Sequence, residues 1–181
     1  MVLVNGRPWP VMKVERRKYR FRVLNAAISR GFRLRLDNGD PFTVIATDGG
    51  LMPNPASTRE LRLGMAERYE IVIDFAKYKT GQRVVLKNIG VKNSIDFDNT
   101  DKVMAFDVVS DATDTSDNAV PDVLNQKAPA VDLLAGMAKR TRKFEFVRKN
   151  GMWTINGKTW AEVQASNYDY VWADPALGDI E

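Results

Sequence analysis

The sequence predicts an all-β fold, a sandwich or barrel with Greek-key connections, over most of its first 110 residues. Three observations support this prediction. Short segments alternate apolar and charged residues, turn-forming residues separate them at a spacing of roughly 8–12 residues, and helical periodicity is almost absent.

Two segments carry the alternation most clearly. In residues 19–24, Tyr19 and Phe21 alternate with arginines, and residues 32–36 repeat the pattern around Phe32. A period of two places one face in a core and the other in solvent. Further strands, rich in Val, Ile, Phe, Tyr or Leu, are predicted at 42–46, 60–63, 69–75, 83–87 and 103–109. Turns, rich in Gly, Pro, Asn and Asp, are predicted at 37–41, 48–50, 53–55 and 80–81.

The residue composition of the chain changes after Val109. Residues 110–119 are small, polar and acidic, and residues 120–138 contain Pro121 and Pro129 together with scattered apolar residues. A connector of this length is expected between domains and not inside one. We therefore predict a first domain at 1–110, an interdomain linker at 111–138, and the first strands of a second, truncated domain at 139–181.

That second domain is predicted to begin with a hairpin. Residues 143–147 and 152–155 flank Asn150-Gly151, and Asn156-Gly157 follows. Asn-Gly between alternating segments is a strong hairpin signal. The final Gly178-Asp179-Ile180-Glu181 is interpreted as a strand that is just beginning, so we expect the chain to end within a domain.

Composition excludes several kinds of chemistry. There is no cysteine and no histidine among the 181 residues, which rules out disulfides, thiolate nucleophiles, His-containing triads and copper sites built from His and Cys. No apolar run approaches the roughly 20 residues of a membrane-spanning helix. The sequence indicates no compartment.

The order of the motifs resembles the three-domain multicopper oxidases, in the group that includes phenoxazinone synthase, spore-coat laccase and bilirubin oxidase. The residues that carry the resemblance, in chain order, are Val2-Leu3-Val4-Asn5-Gly6-Arg7-Pro8-Trp9-Pro10, Tyr19-Arg20-Phe21-Arg22-Val23-Leu24-Asn25-Ala26, Thr47-Asp48-Gly49-Gly50-Leu51-Met52-Pro53, Glu67-Arg68-Tyr69-Glu70-Ile71-Val72-Ile73-Asp74-Phe75 and Trp153-Thr154-Ile155-Asn156-Gly157-Lys158-Thr159-Trp160. They resemble the family's second cupredoxin domain and the first hairpin of its third.

The resemblance implies a cupredoxin-like middle domain that binds no copper. In the family, copper lies in the third domain and between the first and third, held by His-X-His and His-Cys-His runs that this sequence lacks. No catalytic, cofactor-binding or metal-ligating residue is therefore assigned here, and copper is expected only in the complete parent. The parent would oxidise phenols, aminophenols, diphenols or related donors and reduce O2 to water, whereas this chain alone is predicted to be inactive.

The expected partners are the missing first and third cupredoxin domains. Unpaired strand edges after Lys143 favour dimerisation or strand exchange. No membrane association is predicted.

The main alternative function is a free-standing basic barrel that binds nucleic acid or a protein partner. Eight basic residues and no acidic one lie between Arg16 and Arg35, and such a patch is typical of nucleic-acid binding. Alternation disfavours nucleic acid, because Tyr19, Phe21 and Phe32 would face the core and not the basic surface.

Other candidate residues also have a structural interpretation. The candidate carboxylates for acid–base pairing or cation binding are Asp48, Glu60, Glu67, Glu70, Asp74, Asp96, Asp98 and Asp101. The run 96–101 suits calcium best, but it lacks the glycine and closing glutamate of a dedicated loop and is expected to be a solvated turn. Met52, Met65 and Met104 are expected to fill the core or turns. Trp153, Trp160 and Trp172 are expected to pack the start of the third domain or to cover its seam, with a substrate-pocket role in the parent as the alternative.

Overall fold

The computed structural model describes residues 1–90, 98–127, 135–138 and 143–167. The chain divides into two compact units, Met1–Asp132 and Leu133–Glu181; the predicted boundaries at 110 and 138 stay predictions.

Unit 1 contains eleven strands and one short 3₁₀ helix in its described residues. The strands are β1 Leu3–Val4, β2 Arg7–Pro8, β3 Val11–Arg16, β4 Lys18–Leu24, β5 Phe32–Leu36, β6 Phe42–Thr47, β7 Gly50–Thr58, β8 Leu61–Leu63, β9 Arg68–Asp74, β10 Arg83–Asn88 and β11 Lys102–Asp111. The 3₁₀ helix, Phe75–Lys77, is capped by the side chain of Asp74.

The strands form two larger sheets and a small β1–β2 hairpin. The five-stranded sheet has the order β3-β11-β10-β5-β8 and the four-stranded sheet the order β4-β9-β6-β7. All neighbours are antiparallel except β3 and β11, which run parallel. This confirms the predicted all-β class.

The core lies between these sheets. Phe106 from the five-stranded sheet has its ring centroid 5.0 Å from that of Phe75 and 5.3 Å from that of Phe21 in β4. Phe75 and Phe106 are almost completely buried. As the alternation predicts, Tyr19 and Phe21 pack against this core.

Four strands of unit 1 lie where the sequence predicts no strand. These are β1, β2, β3 and β7, and the turn predicted at 53–55 lies inside β7. β7 tolerates Pro53 and Pro55 because it is an edge strand and because the register with β6 shifts between Val44 and Ala46, so the proline segment lies where pairing is interrupted.

Residues 118–124 of the predicted linker are hydrogen-bonded to strands of unit 1. Lys18 N–H, at the start of β4, donates to Asn118 Oδ1 at 2.7 Å. Leu124 N–H donates to the Pro53 carbonyl of β7 at 2.8 Å, and Asn54 Nδ2 donates to the Asp122 carbonyl at 2.7 Å. We call residues 112–127 the connector.

Unit 2 contains the predicted hairpin, β12 Phe146–Lys149 and β13 Met152–Ile155, with a short 3₁₀ turn at Ala135–Met137. The turn residues Asn150 and Gly151 have φ of 51° and 80°. After Asn156-Gly157 the chain forms a helix, α1 Trp160–Ala165, which was not predicted. The capping box between Thr159 and Glu162 starts it. The expected strand at 178–181 lies outside the described residues.

None of the helices in the described ranges has the length and apolar character needed to cross a membrane.

Candidate interdomain surface

One end of unit 1 brings together the C-terminal end of β4, the β6–β7 turn and the loop before β9. The pairing register places Leu24 opposite Arg68 and Ala46 opposite Leu51. In the other sheet, Phe32 pairs with Leu63. Asn25 joins the two sheets here, so their ends lie together.

Asn25 is a buried polar residue whose amide is fully used. Its Nδ2 donates to the carbonyls of Arg30 at 2.7 Å and Leu63 at 3.2 Å, and its Oδ1 accepts from Ala27 N–H at 3.0 Å. The residue is 3% exposed. Because a buried amide without partners is costly, this network fixes loop 25–31 against β8.

The neighbouring turn is fixed by the same residue and by Glu67. Asn25 N–H donates to the Glu67 carbonyl at 3.2 Å, and Ala66 N–H donates to the Asn25 carbonyl at 2.9 Å. The Glu67 carboxylate also accepts from Gly64 N–H. Glu67 therefore organises the backbone, and this role leaves it less suited to acid–base chemistry.

Four exposed apolar side chains lie at this end. They are Leu24, 57% exposed, Ile28, 99%, Leu51, 41%, and Met65, 49%. We call these four residues the apolar end. Exposed apolar side chains held on ordered loops are typical of an interaction surface.

An open cleft of about 360 Å³ lies at the same end, between Leu24, Leu51 and the start of β9. Its polar rim is made of ion pairs. Asp48 Oδ1 accepts from the backbone N–H of Arg68 at 2.8 Å and lies 3.1 Å from its guanidinium Nε. Burial, and then the negative charges of Glu67 and Asp48, raise the pKa of the Tyr69 phenol. Tyr69 is therefore neutral near pH 7 and is not an activated base.

The other candidate carboxylates of β-strands and loops are also engaged with basic groups. Glu70 accepts from Arg20 Nε at 2.6 Å and lies 3.5 Å from Arg22 Nε. Glu60 accepts from Arg33 Nε at 2.8 Å. Asp74 lies 3.5 Å from Lys18 Nζ. These contacts hold strands in register and form no paired acid and base.

The calcium candidate is described only in part. Asp96 lies outside the described residues, Asp98 is exposed, and the Asp101 backbone carbonyl accepts from Asn88 N–H at 2.9 Å. Within the described ranges, no three His, Cys, Asp or Glu side chains converge on a point that could hold a metal. Because the sequence has neither histidine nor cysteine, its donor set does not fit a copper centre of imidazole and thiolate.

The sulfur and tryptophan candidates divide between core and surface. Met52 and Met104 pack against the core, and Met65 lies in an exposed turn. Trp153 and Trp160 are largely exposed within unit 2, and Trp172 lies outside the described residues. Sequence reasoning missed Asn25, whose place at the end of an alternating strand gave no sign that it would join two sheets.

Comparison with known proteins agrees with this architecture. The multicopper oxidase family model matches residues 1–108. Bilirubin oxidase from Albifimbria verrucaria is 43% identical over 175 residues, which covers 91% of this chain and 30% of that protein. A laccase from Bacillus subtilis is 40% identical over 124 residues, covering 68% of this chain and 24% of the laccase.

A solved structure gives the same result. The McoA multicopper oxidase from the hyperthermophile Aquifex aeolicus superposes with a TM-score of 0.76 at 32% identity, covering 88% of this chain and 34% of that one. The chain thus spans about a third or less of the length of the proteins it matches. By sequence and by fold, this chain belongs to the multicopper oxidase family.

Proposed function

We propose that this chain is the structural middle segment of a multicopper oxidase, a copper-free cupredoxin-like domain followed by a linker and the start of the next domain. The parent oxidises phenolic or aminophenolic donors by one-electron steps and reduces O2 to water. This chain positions the copper-bearing parts and is inactive alone.

The apolar end is the observation that carries this proposal. Leu24 and Leu51 lie in the paired strands β4 and β7, and Ile28 and Met65 lie on the loops that Asn25 and Glu67 hold, so this surface is set before any partner arrives. A preordered apolar surface loses little conformational entropy on docking. It therefore suits an interface that must hold metal ligands from two domains within a fraction of an ångström.

The free-standing nucleic-acid module is not favoured. Tyr19 and Phe21 face the core, so the basic strands have no aromatic platform for bases.

Substitution of the apolar end in the parent tests the proposal. Changing Leu24 and Leu51 together to lysine introduces charge at the interface, and neither side chain belongs to the buried core. We expect unchanged thermal unfolding of the 181-residue chain and a loss of copper content and oxidase activity in the parent. Leu3→Lys, at an exposed apolar position of β1 outside the apolar end, is the matched control and should preserve both.

Two results would contradict the proposal. One is a parent that keeps full copper content and activity with both lysines in place. The other is oxidation of a diphenol by the purified chain alone, measured by dye formation with O2 consumption.

A further inference from the structure

The outer face of the five-stranded sheet carries an excess of positive charge. Its outward positions alternate with core residues such as Leu34, Val84 and Leu86. We call the basic residues at these positions the basic sheet face: Lys13, Arg33, Arg35, Arg62, Arg83, Lys87 and Lys102. The described carboxylates near them are Glu15, Glu60, Asp107 and Asp37, whose Oδ1 accepts from Val85 N–H at 2.9 Å.

The strand register places like charges directly opposite each other. Arg33 in β5 pairs with Arg62 in β8, and Lys87 in β10 pairs with Arg35 on one side and Lys102 on the other. Directly opposed like charges destabilise a sheet. An external anion at this face would offset that cost.

Internal carboxylates compensate only part of the charge. Glu60 binds Arg33 and lies 3.6 Å from Arg35 Nη1, and Asp107 accepts from Arg83 Nε at 2.6 Å and Nη2 at 2.8 Å. Among the described residues, no carboxylate pairs with Lys87 or Arg62. A positive row therefore remains at the centre of the sheet.

The shape of the face favours a protein anion over a nucleic acid. Its uncharged outward positions include Val85 and Ala105. The Trp9 ring borders the face, but Lys102 Nζ lies over it, 5.2 Å from its centroid, so this cation–π contact competes with the stacking of a base on that ring. A sheet face offers no groove for a phosphate backbone. Guanidinium groups match carboxylates in planar, bidentate pairs.

We propose that the basic sheet face docks a carboxylate-rich surface of the parent polypeptide outside this chain. This inference rests on the proposed function, because the chain spans only 30% of bilirubin oxidase and most of the parent is available to supply that surface. Covalent linkage raises the effective concentration of such a surface to the millimolar range, on the order of 1 mM, so modest charge contacts suffice.

Reversing the charge of Lys87 should shift the melting temperature in opposite directions in the isolated chain and in the parent. In the 181-residue chain, Lys87→Glu turns two repulsive pairs into attractive ones, and we expect the melting temperature of unit 1 to rise by about 2 °C. In the copper-loaded parent the same change opposes the docked carboxylates, and we expect a melting temperature lower by at least about 2 °C, with the difference reduced at high salt.

Lys79→Glu is the matched control. Lys79 is exposed in a turn away from the strand register, so its reversal should give the same small shift in chain and parent. Arg62→Glu is a second, independent variant with the same expected inversion of sign.

Two results would overturn the proposed docking of the basic sheet face. A parent stabilised by Lys87→Glu as much as the chain overturns it, and so does tight binding of a fluorescent single-stranded DNA that Lys87→Glu abolishes. If Lys87→Glu does not lower the melting temperature of the parent while the Leu24 and Leu51 substitutions still reduce its copper content, the scaffold function stands and the basic docking surface does not. If the Leu24 and Leu51 substitutions have no effect either, the proposed function itself is wrong.

Discussion

The Asn25 side-chain amide donates to the Leu63 carbonyl at 3.2 Å and so joins the end of β4 in one sheet to the end of β8 in the other. The loops of that end therefore depend on the Asn25 side chain together with the contacts of Glu67.

Asn25→Ala should cost unit 1 about 1–3 kcal/mol of unfolding free energy, because several buried backbone groups lose their partner. Urea unfolding followed by circular dichroism measures the change. Asn54→Ala, which removes a single exposed hydrogen bond to the connector, is the control and should cost no more than about 1 kcal/mol. Equal costs for the two variants would show that Asn25 does not organise the loops.

Phe106→Ala should cost about 3–5 kcal/mol, because it removes the ring that contacts both Phe21 and Phe75 and leaves a cavity. Phe146→Ala in β12 provides the control, since that ring is 68% exposed. The same urea experiment on the whole chain compares them. A small cost for Phe106→Ala would contradict the location of the core.

Glu60→Gln should destabilise unit 1 by about 0.5–1 kcal/mol at low ionic strength, since it removes the carboxylate shared by Arg33 and Arg35. The difference in unfolding free energy from the unsubstituted chain should shrink between about 50 mM and about 500 mM NaCl, because salt screens the attraction of Glu60 for the two arginines. Glu145→Gln, an exposed residue of unit 2, should show no such salt dependence. A Glu60 effect that persists at high salt would point to lost packing and not to charge.

Tyr78 should make stability fall in alkali. Burial, as the largest cause, raises the pKa of its phenol from 10.0 to about 12 in the folded chain. The folded state holds its proton to higher pH than the unfolded state, so this contribution is complete below pH 10 and is lost as pH rises from 10 towards 12. Tyr78→Phe should flatten this part of the curve of unfolding free energy against pH, and an unchanged slope would contradict the assignment.

Local alternation and residue content were enough to predict most of the sandwich. The strands around Phe21 and Leu34 follow from a period of two, since each has one face in the core. The strand around Ile71 follows from its branched and aromatic residues, and Ile71, Val72 and Ile73 are all buried. β7 was read as a turn because Pro53 and Pro55 are turn formers, and only the pairing with β6 reveals an edge strand with an interrupted register. α1 was missed although Thr159 and Glu162 have capping-box spacing, since a helix of six residues gives no periodicity to read.

Surface features depended on contacts distant in sequence. The arginine-rich segment was visible in the sequence, but the pairing of Lys87 with Arg35 is set by strand order, which no local pattern encodes. The same holds for Asn25, whose partner Leu63 lies 38 residues further along the chain.

The connector bonds to both outermost strands of the four-stranded sheet, at Lys18 in β4 and at Pro53 in β7. An incoming strand from another molecule would find these main-chain and side-chain groups already occupied. Growth of an amyloid-type ladder on that sheet would first require the connector to dissociate from these edges. Cleavage within residues 112–127 should therefore increase the tendency of the protein to aggregate.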